Sequence, residues 1–141
     1  MFLTLLVLIS AAWSETKTDA IKLVDDAAKQ MASQPREAVV AELSKAEGKW
    51  VKGELYVFAY DLQGIMVAHP KNAKLIGKNL LEVPDVDGKL FRKEIVELAK
   101  TKGSGWVDYK YKNPESGKTE AKTTYLKKVG DLILCCGIYK D

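Results

Sequence analysis

Histidine and cysteine are the scarcest reactive side chains in this chain: His69 stands alone, and the two cysteines, Cys135 and Cys136, are neighbours. One imidazole and two adjacent thiols do not make a metal-ligand set, so neither a metal nor a cofactor is expected. Any nucleophile–base pair would have to use His69, and no Gly-x-Ser-x-Gly elbow is present. The cysteines lie inside the apolar run Leu132–Tyr139, without a group to activate them. Asp85 and Asp87 fall in a turn, where solvation is the simpler account of two carboxylates. The chain is therefore not expected to be an enzyme. It also lacks a phosphate-cradling glycine loop, and a net charge of +3 spread over interspersed lysines and acids offers no concentrated basic face for nucleic acid. No apolar run reaches the roughly 20 residues needed to cross a bilayer.

The first apolar run, Phe2–Ile9, does carry a message. No charge precedes Glu15, and Ala12-Trp13-Ser14 offers small residues at the −3 and −1 positions of a cleavage site. Residues 1–14 are read as a secretory signal peptide, with a short membrane anchor as the competing reading. The expected product is a single domain, residues 15–141, exported across the inner membrane to the periplasm. In a strand, the side chains of Cys135 and Cys136 would point to opposite faces. They read as small core residues, against the sharper alternatives of a strained vicinal or an intermolecular disulfide.

Residues 15–50 are expected to be helical. Ala20, Ile21, Val24, Ala27, Ala28 and Met31 recur at helical spacing, with Thr18 or Ser14 as N-cap. Pro35 suits the first turn of a second helix through Leu43, so the segment is two helices or one kinked helix. Residues 51–141 change character. Leu55–Tyr60 and Ile65–His69 form a hairpin about Asp61-Leu62-Gln63-Gly64. Lys89–Lys100 reads as a helix broken by Gly103-Ser104-Gly105, and Trp106–Tyr111, Ala121–Val129 and Leu132–Tyr139 read as a meander. Without long crossovers the class is α+β: a central antiparallel sheet of about five strands, N-terminal helices, and one helix between strands 2 and 3.

These motifs, in this order, resemble a known family. Tyr56-Val57-Phe58-Ala59-Tyr60-Asp61-x-x-Gly64, Ala68-His69-Pro70, Gly77-Lys78-Asn79-Leu80, the Asp-x-x-Gly-Lys turn ending at Lys89, Gly105-Trp106-Val107-Asp108-Tyr109, Pro114–Lys118, Lys122-Thr123-Thr124-Tyr125 and Gly137-Ile138-Tyr139 are similar to the single Cache domain of bacterial extracytoplasmic sensors. The resemblance spans about Leu55 to Asp141. It implies a PAS-like fold, a pocket for a short-chain carboxylate on one sheet face, and a role in signal transduction or chemotaxis through a membrane receptor or kinase. With a short leader and no second span before Asp141, the chain is expected to be a free-standing exported member. A soluble protein that docks on a membrane receptor without its own ligand is the alternative, and homodimerisation through the N-terminal helix is a related expectation.

The resemblance also implies the site residues. His69, at a strand end before Pro70, would hydrogen-bond an anion rather than merely brace a loop. Tyr56 is the preferred contact among Tyr56, Phe58 and Tyr60, which share a face; the plainer role for such aromatics is core. A three-residue loop with Gly64 left-handed would set Val57 opposite His69, and a two-residue loop would set Tyr56 there. Trp106 is expected as a pocket wall with Tyr109 nearby, although regular alternation puts those two on opposite faces. Lys122 is the natural carboxylate partner rather than a solvated strand lysine. Tyr125 joins it only if a bulge brings residues three apart to one face. The run Lys71–Lys78 would be a lid or a solvated loop.

Overall fold

The structure, a computed structural model, describes residues 16–140; the predicted signal segment lies outside them. Helix α1 (Lys17–Ser33) begins at Thr16, whose hydroxyl accepts from the Asp19 N–H while the Asp19 carboxylate accepts from the Thr16 N–H. This reciprocal capping box, and not Thr18 or Ser14, satisfies the first orphan donors. Ala20, Leu23, Val24 and Ala27 form its buried stripe. Pro35 precedes a separate short α2 (Arg36–Leu43).

The strands are β1 (Val51–Lys52), β2 (Leu55–Asp61), β3 (Met66–Ala68), β4 (Ser104–Lys112), β5 (Thr119–Val129) and β6 (Leu132–Tyr139). They pair antiparallel in the order β1-β2-β6-β5-β4, with β3 beside β2. The architecture is the expected α+β one, with the two-residue β1 as a sixth strand. Helix α3 (Phe91–Lys102) starts two residues later than the periodicity predicts. The Asp85 carboxylate accepts from the N–H groups of Asp87 and Lys89 and so holds Lys89 in the preceding turn. Gly103, at φ 80°, ends the helix in the left-handed conformation a side chain would resist.

Alternation divides the sheet into two faces with different covers. Tyr56, Phe58, Tyr60, Val107, Tyr109, Leu126, Ile133 and Cys135 pack with Phe91, Ile95, Val96 and Ala99 of α3. Leu55, Val57, Ala59, Leu134 and Cys136 pack with α1 and α2. The two cysteines form no disulfide; both are buried, on opposite faces.

Candidate functional site

The face under α3 brings His69 and Lys122 together through a one-residue irregularity. The Asp61 N–H donates across the turn to the Ile65 carbonyl, so the loop is the three-residue form, with Gly64 left-handed at φ 88°. Tyr60 pairs with Met66, but Ala59 pairs with Ala68, which makes Val67 an extra residue, a β-bulge. A regular ladder would have set His69 beside Val57, on the α1 face. The bulge advances it by one position and turns it to the other side. There the imidazole stacks on Phe58 (centroids 5.4 Å apart) and lies 5.2 Å from Tyr56. Neither of the two registers anticipated from the loop length is the observed one, because a bulge lies beyond what loop length encodes.

His69 is 2 % exposed, and its Nδ1 accepts the backbone N–H groups of Lys71 and Asn72 at 3.1 and 2.9 Å. Two donors on Nδ1 fix the proton on Nε2, leaving that nitrogen as the ring's donor. Burial, aided by the positive charges of Lys122 and Arg92, drives its pKa down to about 3, so the ring is neutral at ordinary pH.

Lys122, 1 % exposed on β5, reaches into a ring of aromatics. Its Nζ lies 4.8 Å from the Tyr56 centroid, 5.0 Å from Phe58, 4.9 Å from both Tyr111 and Tyr139, and 5.9 Å from Tyr109. It donates to Tyr56 Oη at 3.0 Å. Tyr56 Oη is in turn 3.4 Å from Tyr139 Oη, which donates to the Lys112 carbonyl at 3.4 Å. Burial brings the Lys122 pKa down to about 7. Gly137 gives the lysine stem its room: a Cβ there would collide with Lys122 Cε and Thr124 Oγ1.

A third basic group, Arg92, completes the cluster. It is buried on α3, with Nε 3.2 Å from Tyr60 Oη, Nη1 3.4 Å from the Val83 carbonyl, and the guanidinium over Phe91. The sequence carries a signal for it that the reading of α3 as an apolar helix passes over. Arg92 precedes Ile95, Val96 and Ala99 by three, four and seven residues, so a cation sits on the buried stripe. None of the ion pairs among the described residues includes Arg92 or Lys122. A buried cation without an anion is costly, and here two of them surround a neutral imidazole. A cavity of about 300 Å³ adjoins the cluster, lined by His69, Lys71, Asn72, Tyr111 and the β4–β5 turn from Lys112 to Gly117. Of the cluster, His69 and Tyr111 line that cavity.

The six candidate residues therefore separate. Tyr56, His69, Tyr109 and Lys122 share one face; Tyr109 stacks on Phe91 at 4.0 Å and bonds Thr124 Oγ1 at 2.7 Å. Trp106 and Tyr125 are cross-strand partners on the opposite face, packed against the α1 cluster, with Lys17 over the indole. No bulge interrupts the β4–β5 ladder, so alternation holds and Trp106 and Tyr125 lie on the face away from Lys122. Tyr139 and Tyr111 are the aromatics that stand at Lys122 with Tyr56, Phe58 and Tyr109. Among the described residues no group of His, Cys, Asp and Glu is arranged to hold a metal ion, and no helix is long and apolar enough to cross a membrane.

Comparison with known proteins bears on this geometry. A Cache domain family model matches residues 18–141. The chain is 34% identical over 88 residues to the methyl-accepting chemotaxis protein McpP of Pseudomonas putida, covering 61% of this chain and 16% of that protein. It is 30% identical over 88 residues to the sensor histidine kinase MctS of Rhizobium johnstonii, covering 61% and 19%. The chain thus spans less than a fifth of the length of these curated relatives. A solved Cache chemosensory domain, described for the structural basis of its carboxylic acid recognition, superposes with a TM-score of 0.73 at 28% identity, covering 90% of this chain and 100% of that one.

Proposed function

The chain belongs to the Cache domain family, whose members are sensory ligand-binding modules and not enzymes, and we propose that it binds short-chain carboxylates outside the cytoplasm. The observation that carries this reading is the buried cluster of Lys122, Arg92 and the Nε2–H of His69, of which His69 lines a small cavity, with no carboxylate of the described residues paired to either cation. The ligand's carboxylate is the missing counter-ion. Charge-assisted hydrogen bonds hold it, and the rings of Phe58, Tyr109, Tyr111 and Tyr139 form the wall around its carbon chain. Similarity to a domain described for carboxylic acid recognition supports the same ligand class.

Similarity to a chemotaxis receptor and a sensor kinase supports a role upstream of such a membrane protein. The leader-like residues 1–14 support export to the periplasm, and α1 offers the surface for a homodimer. The direct test is a thermal-shift series with acetate, propionate, pyruvate and lactate. Binding to the folded state raises the melting temperature in proportion to RT ln(1 + [L]/Kd). A saturable rise with at least one acid is expected; a folded protein indifferent to all four rejects the reading.

A further inference from the structure

We propose that anionic ligands reach the aromatic cage from the cavity between Lys71 and Lys112, and that Tyr111 is the gate they turn aside. This rests on the carboxylate-binding reading of the same site and adds to it a route and a moving part.

Two side chains belong both to the cage and to the cavity. The Tyr111 ring centroid stands 4.9 Å from Lys122 Nζ, and Tyr111 also lines the cavity of about 300 Å³. His69 lines the same cavity and packs on Phe58 and Tyr56, which themselves flank the amine. Lys122 is not among the lining residues, so these two rings form the partition between cavity and amine. They are held differently. His69 is buried, with two backbone N–H groups fixed on its Nδ1. Tyr111 is half-buried and takes no part in the chain of hydrogen bonds that links Lys122, Tyr56, Tyr139 and the Lys112 carbonyl. Its ring meets Phe91 and Tyr109 edge-on, with centroids 6.5 and 6.2 Å away. Edge contacts between rings hold less firmly than a pair of backbone hydrogen bonds. Turning Tyr111 outward is therefore the easier opening.

Charge selects the same side. The β4–β5 turn separates two depressions, and Asn113 lines both. The cavity at Tyr111 carries Lys71, Asn72 and Lys112, and none of its lining residues is an acid. The other depression, of about 330 Å³, reaches the cage at Tyr139 and is lined by Glu54, Glu115 and Glu120. An anion is drawn to the first mouth and repelled from the second, over a range of about 8–10 Å at physiological salt. Tyr139 is also the tied ring of the two, through Tyr56 Oη and the Lys112 carbonyl. The turn itself is braced as a fixed partition. The Asn113 N–H donates to the Lys118 carbonyl and the Gly117 N–H to the Asn113 carbonyl, at 2.9 and 2.8 Å. The Asn113 side chain donates to Glu120 and accepts from the Glu115 N–H. A swing of the whole turn breaks these bonds; rotation of one side chain does not.

Exchange kinetics test the route on the full chain. Calorimetry identifies which of acetate, propionate, pyruvate and lactate binds, and line-shape NMR of that acid, isotope-labelled, reads its association and dissociation rates. Lys112→Glu alters an exposed side chain and leaves the backbone carbonyl that Tyr139 uses. It is expected to slow association by about threefold or more at low salt, with dissociation nearly unchanged. High salt closes the difference. Lys29→Glu, the same change of net charge at an exposed position on α1, leaves both rates as they were. Tyr111→Val removes the ring and is expected to raise association and dissociation together. Loss of a mere wall contact acts on dissociation alone, so the faster association is the mark of a gate. Tyr111→Trp, with a larger ring, slows both rates and carries the test if Tyr111→Val does not fold, which circular dichroism and melting establish. Association that Tyr111→Val fails to raise and Tyr111→Trp fails to slow, or that Lys29→Glu slows as much as Lys112→Glu, overturns the route and leaves carboxylate binding intact. A folded protein that binds none of the four acids overturns both.

Discussion

At the scale of the residue, Lys122 is a cation held where its charge is least welcome. It is fully buried and has five rings and one phenol oxygen for company. Such a group costs the empty protein stability and repays it when an anion arrives. Replacing it by methionine, a similar volume without the charge, separates the two effects. Lys122→Met is expected to leave the empty protein as stable as before or more so, and to weaken propionate binding by tenfold or more, about 1.4 kcal/mol. Chemical denaturation and calorimetry measure the two; a destabilised variant with unchanged affinity would assign Lys122 to structure alone. A second expectation follows from its pKa of about 7. A carboxylate beside the ammonium favours the charged form and raises that pKa in the complex. At pH 8 propionate binding therefore takes up a proton, and at pH 6, where Lys122 is charged with or without ligand, it takes up much less. Affinity should fall as pH rises above about 7. Calorimetry at pH 8 in buffers of different ionisation enthalpy reads the uptake directly, and identical heats across buffers would contradict it.

At the scale of the element, the site is a matter of which face each strand presents, and parity explains both what the sequence discloses and what it conceals. Strand β5 is regular, so Lys122 and Thr124 face α3 while Thr123 and Tyr125 face α1. Alternation applied strictly would have excluded Trp106 and Tyr125 from a site built on Tyr109 and Lys122; only the order of motifs recommended them. His69 is the opposite case, because its face depends on the Val67 bulge, and nothing in Ile65–His69 marks which residue is left unpaired. Arg92 was legible as an interruption of the α3 stripe, but its partners Tyr60 and Val83 are remote in sequence. The helices, the meander and the sheet were legible from periodicity and turn residues, since those signals are local. Strand β6 offers a test of the same logic. Gly137 is not among the glycines with positive φ, so alanine there imposes no backbone strain. Its methyl instead meets the stem of Lys122, and Thr124 Oγ1 with it. Gly137→Ala is expected to cost about 1–3 kcal/mol of stability and to weaken propionate binding by displacing the amine. Combined with Lys122→Ala, which clears the stem, the alanine should cost less than it does alone. A double-mutant cycle by denaturant unfolding checks this, and additive effects would show that Gly137 does not act through Lys122.

At the scale of the whole molecule, these buried groups give the stability curve an unusual slope. The unfolded chain holds a proton on Lys122 up to its ordinary 10.5, whereas the folded chain releases it near 7. Between those values the unfolded state binds more protons, so stability rises with pH. His69 acts with the same sign in a lower window, between about 3 when folded and 6.5 when unfolded. The carboxylates with lowered pKa, Asp19, Asp26, Asp85 and Asp108 together with Glu42 and Glu120, add stability that is lost only as pH falls below their ordinary 3.8 and 4.5. At the alkaline end the sign reverses. Burial raises Cys135 above its ordinary 9.0, and Tyr56, Tyr60 and Tyr109 above 10.0, so the unfolded chain ionises first there and the fold loses ground. Lys22 and Lys127, raised by their bonds to Asp26 and Asp25, lose their contribution only above 10.5. The window from pH 7 to about 8.5 thus belongs to Lys122. The ligand-free protein should melt at progressively higher temperature across it and turn over near pH 9. Saturating propionate supplies the counter-ion and stabilises most at the low end, so it should flatten the rise; Lys122→Met should remove it without ligand. Melting curves at half-unit pH steps, at constant ionic strength, decide the matter. A wild-type profile that falls from pH 7 to 8.5 would mean that Lys122 already has an anionic partner, and the counter-ion argument for the site would go with it.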